Sequence, residues 1–314
     1  MGGNSSQPAS ATKTSQPAST PPLWEEVSPD LSHLPLRYCK NDSNSLFSQP
    51  WRTIPKSNQE NLDFVKSYRP QNKEVSHLRI LLHGPVGAGK SGFINSVDSV
   101  FQGRITNRAL TDATSGSSFT KKYTTYKFHK DQDSFYSFIF NDTMGLQLNN
   151  GVHVEDIKLA LNGHVTEGHK FSLEHQLKEK DEGYNSSPTL DDRVHVLVSV
   201  VPAGSVSSLS DEVLKKMREV RMTASEMGIP QLGILTRVDE ACPKVKTDLK
   251  NIYKSKYLKQ QVEKFSVLLG ISLNCNFLVK NYNSEINTND DINVLILGAL
   301  RQMITSGEDF LNSL

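Results

Sequence analysis

The sequence is short of cysteine, of net charge and of long apolar runs. Its three cysteines, Cys39, Cys242 and Cys275, lie far apart, are odd in number and form no C-x-x-C pair. That argues against both a disulfide framework and a structural zinc site; reduced thiols of a cytosolic protein are the expectation. A formal net charge of +1 gives no general electrostatic grip on nucleic acid, and none is expected as a partner. No run of about 18 apolar residues occurs, so no membrane-spanning helix is expected. The N-terminus lacks the apolar core of a secretory signal. What is present, 314 residues of which 36% are hydrophobic, suffices for one sizeable α/β domain with extensions.

Residues 1–22 are mostly Ser, Thr, Gln, Pro and Ala, a composition too poor in large apolar groups to fold. The tail opens Met1-Gly2-Gly3-Asn4-Ser5-Ser6, which fits the M-G-x-x-x-[ST] acceptor pattern for acylation of Gly2. A single acyl chain gives only weak, reversible membrane association, and Lys13 is the only basic residue up to position 36. The expectation is a cytoplasmic protein with at most peripheral membrane contact. Residues 23–72 read as an arm with isolated anchors (Trp24, Leu31, Leu34, Leu36, Phe47, Trp51), followed by a short amphipathic helix over Asn58–Tyr68 that packs on the next domain.

Residues 73–314 read as that domain. Leu78–Leu82 is a buried strand. It runs into Gly84-Pro85-Val86-Gly87-Ala88-Gly89-Lys90-Ser91, which is G-x-x-x-x-G-K-[ST] between a strand and a helix. The glycines let the backbone curl close to a ligand, and the loop amides form a nest for phosphate oxygens. Lys90 would reach the outer phosphates and Ser91 would bind Mg²⁺. The helix opening at Ser91 and Gly92 points its positive end at the same anion.

Strands then alternate with helices. Strands are expected at Tyr123–Phe128, Ser134–Asn141, Arg193–Val201, Leu232–Leu235 and Asn276–Val279. Helices are expected over Ser91–Val100, Val154–Leu161, Ser210–Gly228, Lys256–Leu269 and Asp290–Thr305. This order predicts an α/β fold with a mainly parallel sheet and helices on both faces, its ligand beyond the carboxyl ends of the strands. Residues 162–192 are polar and irregular. The loops at 104–120 and 146–192 are the expected moving parts of a nucleotide switch.

Two further boxes bear on the ligand. Strand Ser134–Asn141 leads into Asp142-Thr143-Met144-Gly145, a D-x-x-G. Its aspartate can hold Mg²⁺ and its glycine amide can meet a γ-phosphate. Strand Leu232–Leu235 leads into Thr236-Arg237-Val238-Asp239, where GTPases carry N-K-x-D. A carboxylate at Asp239 can accept from the ring N–H and the amine of guanine, a donor pair that adenine lacks. Thr236 loses the amide of the usual asparagine, and Arg237 is no simple stand-in for lysine. Thr120, just before a strand, is the choice for a switch hydroxyl that completes the Mg²⁺ shell, with Ser117, Ser118 and Thr114 as alternatives. Asn281 lies in the loop expected to cap the base. Leu146 stands where Ras-like enzymes place a water-orienting Gln, and Pro85 and Val86 put no polar group in the phosphate loop. Binding is therefore better supported than hydrolysis.

The run Leu81–Gly103, with Lys122-Tyr123-Thr124-Thr125-Tyr126, Asp142–Leu146, Leu235–Asp239, Asn281–Glu285 and Val294–Arg301, closely resembles the interferon-induced protein 44 and 44-like family. The resemblance covers about residues 50–312. It implies a P-loop GTP-binding domain of cytosolic proteins induced in antiviral innate immunity. Full-length members carry an additional N-terminal domain, where this sequence has only its tail and arm. The threonine in the guanine box and the leucine after D-x-x-G look like family traits, so weak or partner-dependent hydrolysis is implied. The expected cofactors are GTP or GDP and Mg²⁺. A protein effector and a second copy of the chain are the candidate partners. The rival expectations are an interaction scaffold that uses nucleotide only as a structural ligand, and an ATP-binding protein.

Overall fold

The computed structural model describes residues 1–3, 44–54, 58–109, 121–147 and 151–314. Cys39, most of the tail and arm, and the switch candidates Thr114, Ser117, Ser118 and Thr120 lie outside them. From residue 58 the elements run α1 (Asn58–Ser67), β1 (Leu78–His83), α2 (Lys90–Gln102), β2 (Thr124–His129), β3 (Phe135–Asp142), α3 (Val154–Leu161), β4 (Val196–Pro202), α4 (Asp211–Glu226), β5 (Gln231–Thr236), α5 (Val238–Ala241), α6 (Pro243–Thr247), α7 (Lys256–Leu269), β6 (Asn276–Leu278) and α8 (Asp290–Leu311).

The six strands form one sheet in the order β2-β3-β1-β4-β5-β6. β1 pairs in parallel with β3 and β4, β5 with β4 and β6; β2 is antiparallel to β3. Strand periodicity divides the core. Leu78, Ile80 and Leu82 of β1 face the cluster that holds α1, α2 and α8, whereas Leu81 faces the cluster that holds α3, α4 and α7. Because successive side chains point to opposite faces, a strand needs apolar residues at nearly every position to be covered on both. β1 and β4 have them: every residue from Ile80 to His83 and from Val196 to Val201 is buried. This is a doubly covered, mostly parallel sheet of the P-loop GTPase-like class.

Besides the short α5 and α6, three stretches depart from expectation. β4 starts at Val196 rather than Arg193, because Leu190–Asp192 forms a 3₁₀ turn closed by a reciprocal Thr189–Asp192 capping box. α8 runs past the expected end at Thr305, through Ser306-Gly307, to Leu311. A Cβ at position 307 would sit 2.6 Å from Leu78 Cδ1, so the glycine marks the helix's closest approach to the sheet. The irregular segment after α3 is anchored: Val165, Phe171 and Leu177 are buried, and the Leu177 amide donates to Asp156 Oδ1 at 2.8 Å.

The described arm residues lie on the domain. The Phe47 amide donates to Lys254 O (2.7 Å) and the Trp51 amide to Tyr253 O (2.9 Å). Trp51 meets Tyr253 edge to face, and Arg52 donates to the carbonyls of Asn276 and Leu273. α1 packs on α8, where Tyr68 donates to Glu308 at 2.6 Å.

Candidate functional site

Gly84 to Ser91 lie beyond the carboxyl end of β1, with β3 on one side and β4 on the other. Gly84 has no alternative residue: a Cβ there would fall 2.1 Å from Val200 O, so only glycine lets the loop leave the sheet at this angle. Pairing between β1 and β3 continues past both strand ends. Leu146 N donates to Gly84 O (3.0 Å) and Val86 N to Leu146 O (3.3 Å), and Pro85 bridges Leu146 in parallel. The D-x-x-G segment is thereby fastened along the phosphate loop. At Gly145 a Cβ would lie 2.5 Å from Val86 Cγ2, which is the physical reason for a glycine in that box.

Lys90 opens α2 and is 7% exposed. Its Nζ turns back over the loop, 3.3 Å from Gly84 O and 3.4 Å from Pro85 O. Burial pulls its pKa down, and the Asp142 charge opposes that pull. Beneath it, His83 is fully buried. Its Nε2 pairs with Ser199 Oγ at 2.7 Å. Burial, reinforced by the Lys90 charge, pushes its pKa down to about 3. A neutral imidazole avoids a second positive charge under the ammonium.

Ser91 Oγ donates to Asp142 Oδ2 at 2.6 Å, so the two oxygens assigned to Mg²⁺ converge. The fit is chemical as well: Mg²⁺ prefers hard oxygen ligands and takes one or two from protein, the rest from phosphate and water. Among the described residues no group of three or more His, Cys, Asp or Glu suits a metal ion.

The base side is assembled from β5 and the loop after β6. Thr236 is fully buried and donates its hydroxyl to Ala88 O at 2.6 Å. Asn281 Nδ2 donates to Gly89 O at 3.0 Å. Arg237 is the N-cap of α5 with φ 54°, the only positive φ outside glycine among the described residues. Its guanidinium is exposed and lies 3.6 Å from Glu240. Asp239, half-buried in the first turn of α5, has no side-chain hydrogen bond or ion pair among the described residues.

The structure therefore brings together Gly84 to Gly92, Asp142, Gly145, Thr236 and Asn281, with Arg237 and Asp239 directly after Thr236. Thr120 is outside the described residues. Sequence reasoning missed His83 and Lys216. Lys216 on α4 donates to Gln147 O at 2.7 Å and pairs with Glu212 at 3.1 Å, holding the end of the D-x-x-G segment. A histidine inside an otherwise apolar strand is a readable signal for the first. Nothing local marks the second.

No family model matches the chain. Human interferon-induced protein 44 is 35% identical over 255 residues, 81% of this chain and 57% of that protein. The mouse protein of the same name is 34% identical over 254 residues, 81% and 60% of the two chains. Human interferon-induced protein 44-like is 34% identical over 256 residues, 80% and 56%. Over that stretch these interferon-induced protein 44 and 44-like proteins are homologues of this chain. It spans a little over half the length of these curated relatives. Among solved structures, a GTP-binding protein of Sulfolobus solfataricus in complex with GDP overlaps 74% of this chain and 52% of its own, at 12% identity and a TM-score of 0.33, an overlap too slight to weigh.

Proposed function

We propose that the chain binds GTP and GDP, that it is induced by interferon in antiviral innate defence, and that it holds GTP better than it cleaves it. One observation carries the reading. Three separate segments converge on a single glycine-rich loop: in the D-x-x-G segment Asp142 reaches Ser91 and Leu146 pairs with Gly84 and Val86, while Thr236 bonds Ala88 and Asn281 bonds Gly89. Such a loop presents amides, a lysine and a helix N-terminus to phosphate, and Asp239 offers a carboxylate to the base. Ser91 and Asp142 are the residues to hold Mg²⁺, which when bound neutralises charge on the outer phosphates.

Weak turnover follows from what surrounds the D-x-x-G. Leu146 is 1% exposed, its backbone is bonded to the phosphate loop on both sides, and it has no group to orient water. The same observation favours a second reading, a scaffold that keeps its nucleotide as a structural ligand. A cytoplasmic location, a protein effector, a second copy as partner and an acyl chain on Gly2 belong to the proposal too.

The test is to denature freshly purified protein and identify the released nucleotide by chromatography, then to follow GTP in single turnover with Mg²⁺. Guanine nucleotide close to one per chain is expected, with turnover far slower than in activated GTPases. Neither nucleotide retained, and no thermal stabilisation by either, would refute binding. GTP unchanged over days would favour the scaffold.

A further inference from the structure

The guanine box lacks its asparagine, yet a side-chain amide still touches the phosphate loop beside it. We propose that the work of that asparagine is divided between two loops: Thr236 is a pure clamp on the phosphate loop, and Asn281 is both clamp and nucleoside-contacting residue. The proposal rests on the guanine-nucleotide reading above.

Thr236 has one hydroxyl proton, and it is spent on Ala88 O at 2.6 Å, so no donor is left there for a base. Asn281 comes from the other side. Its Nδ2 donates to Gly89 O at 3.0 Å, the same carbonyl that accepts the amide of Phe93 at 2.8 Å. The two side chains close on one residue. A Cβ at position 89 would lie 3.0 Å from Asn281 Nδ2 and 3.3 Å from Thr236 Oγ1, and one at position 92 would lie 3.1 Å from Asn281 Nδ2.

That bond also sets the amide's orientation. A carbonyl accepts only from the nitrogen end, so Oδ1 is turned away from the loop. Oδ1 is buried and has no hydrogen-bond partner among the described residues. A buried acceptor without a donor is costly to keep, and a bound nucleoside can remove the deficit by bringing an N–H or O–H to it. Guanosine has two such sources, the N–H groups of the base and the hydroxyls of the ribose. The contact is thus to the nucleoside, not to the phosphates.

Affinities of nucleotide-stripped protein for GDP, IDP, 2′-deoxy-GDP and pyrophosphate, each with Mg²⁺, test this in wild type and Asn281→Ala. The substitution is expected to weaken GDP about tenfold and to change pyrophosphate less than about twofold. If the base amine is the donor, IDP loses its dependence on residue 281; if the ribose is, 2′-deoxy-GDP does. Melting separates this role from a structural one. Asn281→Ala should leave the melting temperature of the stripped protein unchanged or higher, and should lower only the increment that GDP adds. The double variant Thr236→Asn with Asn281→Ala returns an amide to the box and is expected to regain GDP affinity. Unchanged GDP affinity in Asn281→Ala overturns the proposal, as does an equal fall in melting temperature with and without GDP. Wild-type protein that binds no guanine nucleotide overturns the underlying reading as well.

Discussion

The two halves of the candidate site are built differently. The phosphate half is continuous with the sheet: Gly84–Lys90 and Asp142–Leu146 prolong two paired strands, and their contacts are backbone pairing, a glycine packed on Val86 and a buried lysine. The base half hangs on single side-chain bonds, one from Thr236 and one from Asn281, followed by a residue with positive φ and a carboxylate with no side-chain hydrogen bond or ion pair among the described residues. The difference teaches where each property resides. On the guanine-nucleotide proposal, phosphate binding is a property of the fold, because the sheet fixes that half. Base choice is a property of a few side chains that can change without disturbing the core.

Substitutions should separate the halves. The largest effect is expected from Lys90→Ala, which removes the buried cation. Loss of one partner of a buried charge pair costs about 2–5 kcal/mol, so GDP affinity should fall by about thirtyfold or more, read by calorimetry. Stability of the nucleotide-free protein should not fall, because burial already disfavours the charged lysine. An apo protein that unfolds would show that Lys90 is a structural residue instead.

Acid should strike next, beneath the phosphate loop at His83 and at the opposite, amino end of β1 at His195. His83 sits under the loop with its pKa lowered to about 3, and His195, which opens the way into β4, is lowered to about 4 by burial. His195 Nδ1 accepts from Arg79 N at 2.9 Å, a bond that protonation would break. Both folded values lie below the ordinary 6.5. The unfolded chain therefore takes up protons first, and the stability present above pH 6.5 is lost as pH falls toward the folded values. The expected loss between about pH 6.5 and pH 4.5 is a few kcal/mol, each group contributing about 1.4 kcal/mol per unit. Urea midpoints measured across that range should flatten in His195→Asn; an unaltered slope would remove His195 from the account.

On the base side the effects are smaller and should not lower stability. Asp239→Asn should cost GDP about 1–3 kcal/mol, the range for a two-bond base contact, and should transfer preference to xanthine nucleotide. No change in preference would support the ATP-binding alternative. Smallest is Arg237→Gly, which removes the positive-φ strain of a side-chain-bearing residue. A rise of about 1 kcal/mol in unfolding free energy is expected, with GDP affinity altered less than by Asp239→Asn.

The phosphate half was legible in the sequence for the same reason that it is rigid. A strand, three glycines and Lys-Ser lie in one short stretch, and the D-x-x-G ends the hairpin of strands that follows, so local pattern carries it. The strand–helix alternation predicted the mainly parallel sheet because helices on both faces demand nearly continuous apolar strands. The base half was legible only in part. Asp239 could be placed by its strand end, but the bonds of Thr236 to Ala88 and of Asn281 to Gly89 span 148 and 192 residues, and no local signal records them. α5 and α6 have four and five residues, too few for a helical period to be read. The anchoring of residues 162–192 rests on Val165, Phe171 and Leu177, which are scattered among polar residues without any period.

The most direct test of the central claim is calorimetric titration of nucleotide-stripped protein with GDP and with ADP, both with Mg²⁺. The account predicts one GDP bound per chain and ADP binding weaker by about tenfold or more, as a carboxylate selector requires. Equal affinity for the two, or none for either, would contradict it.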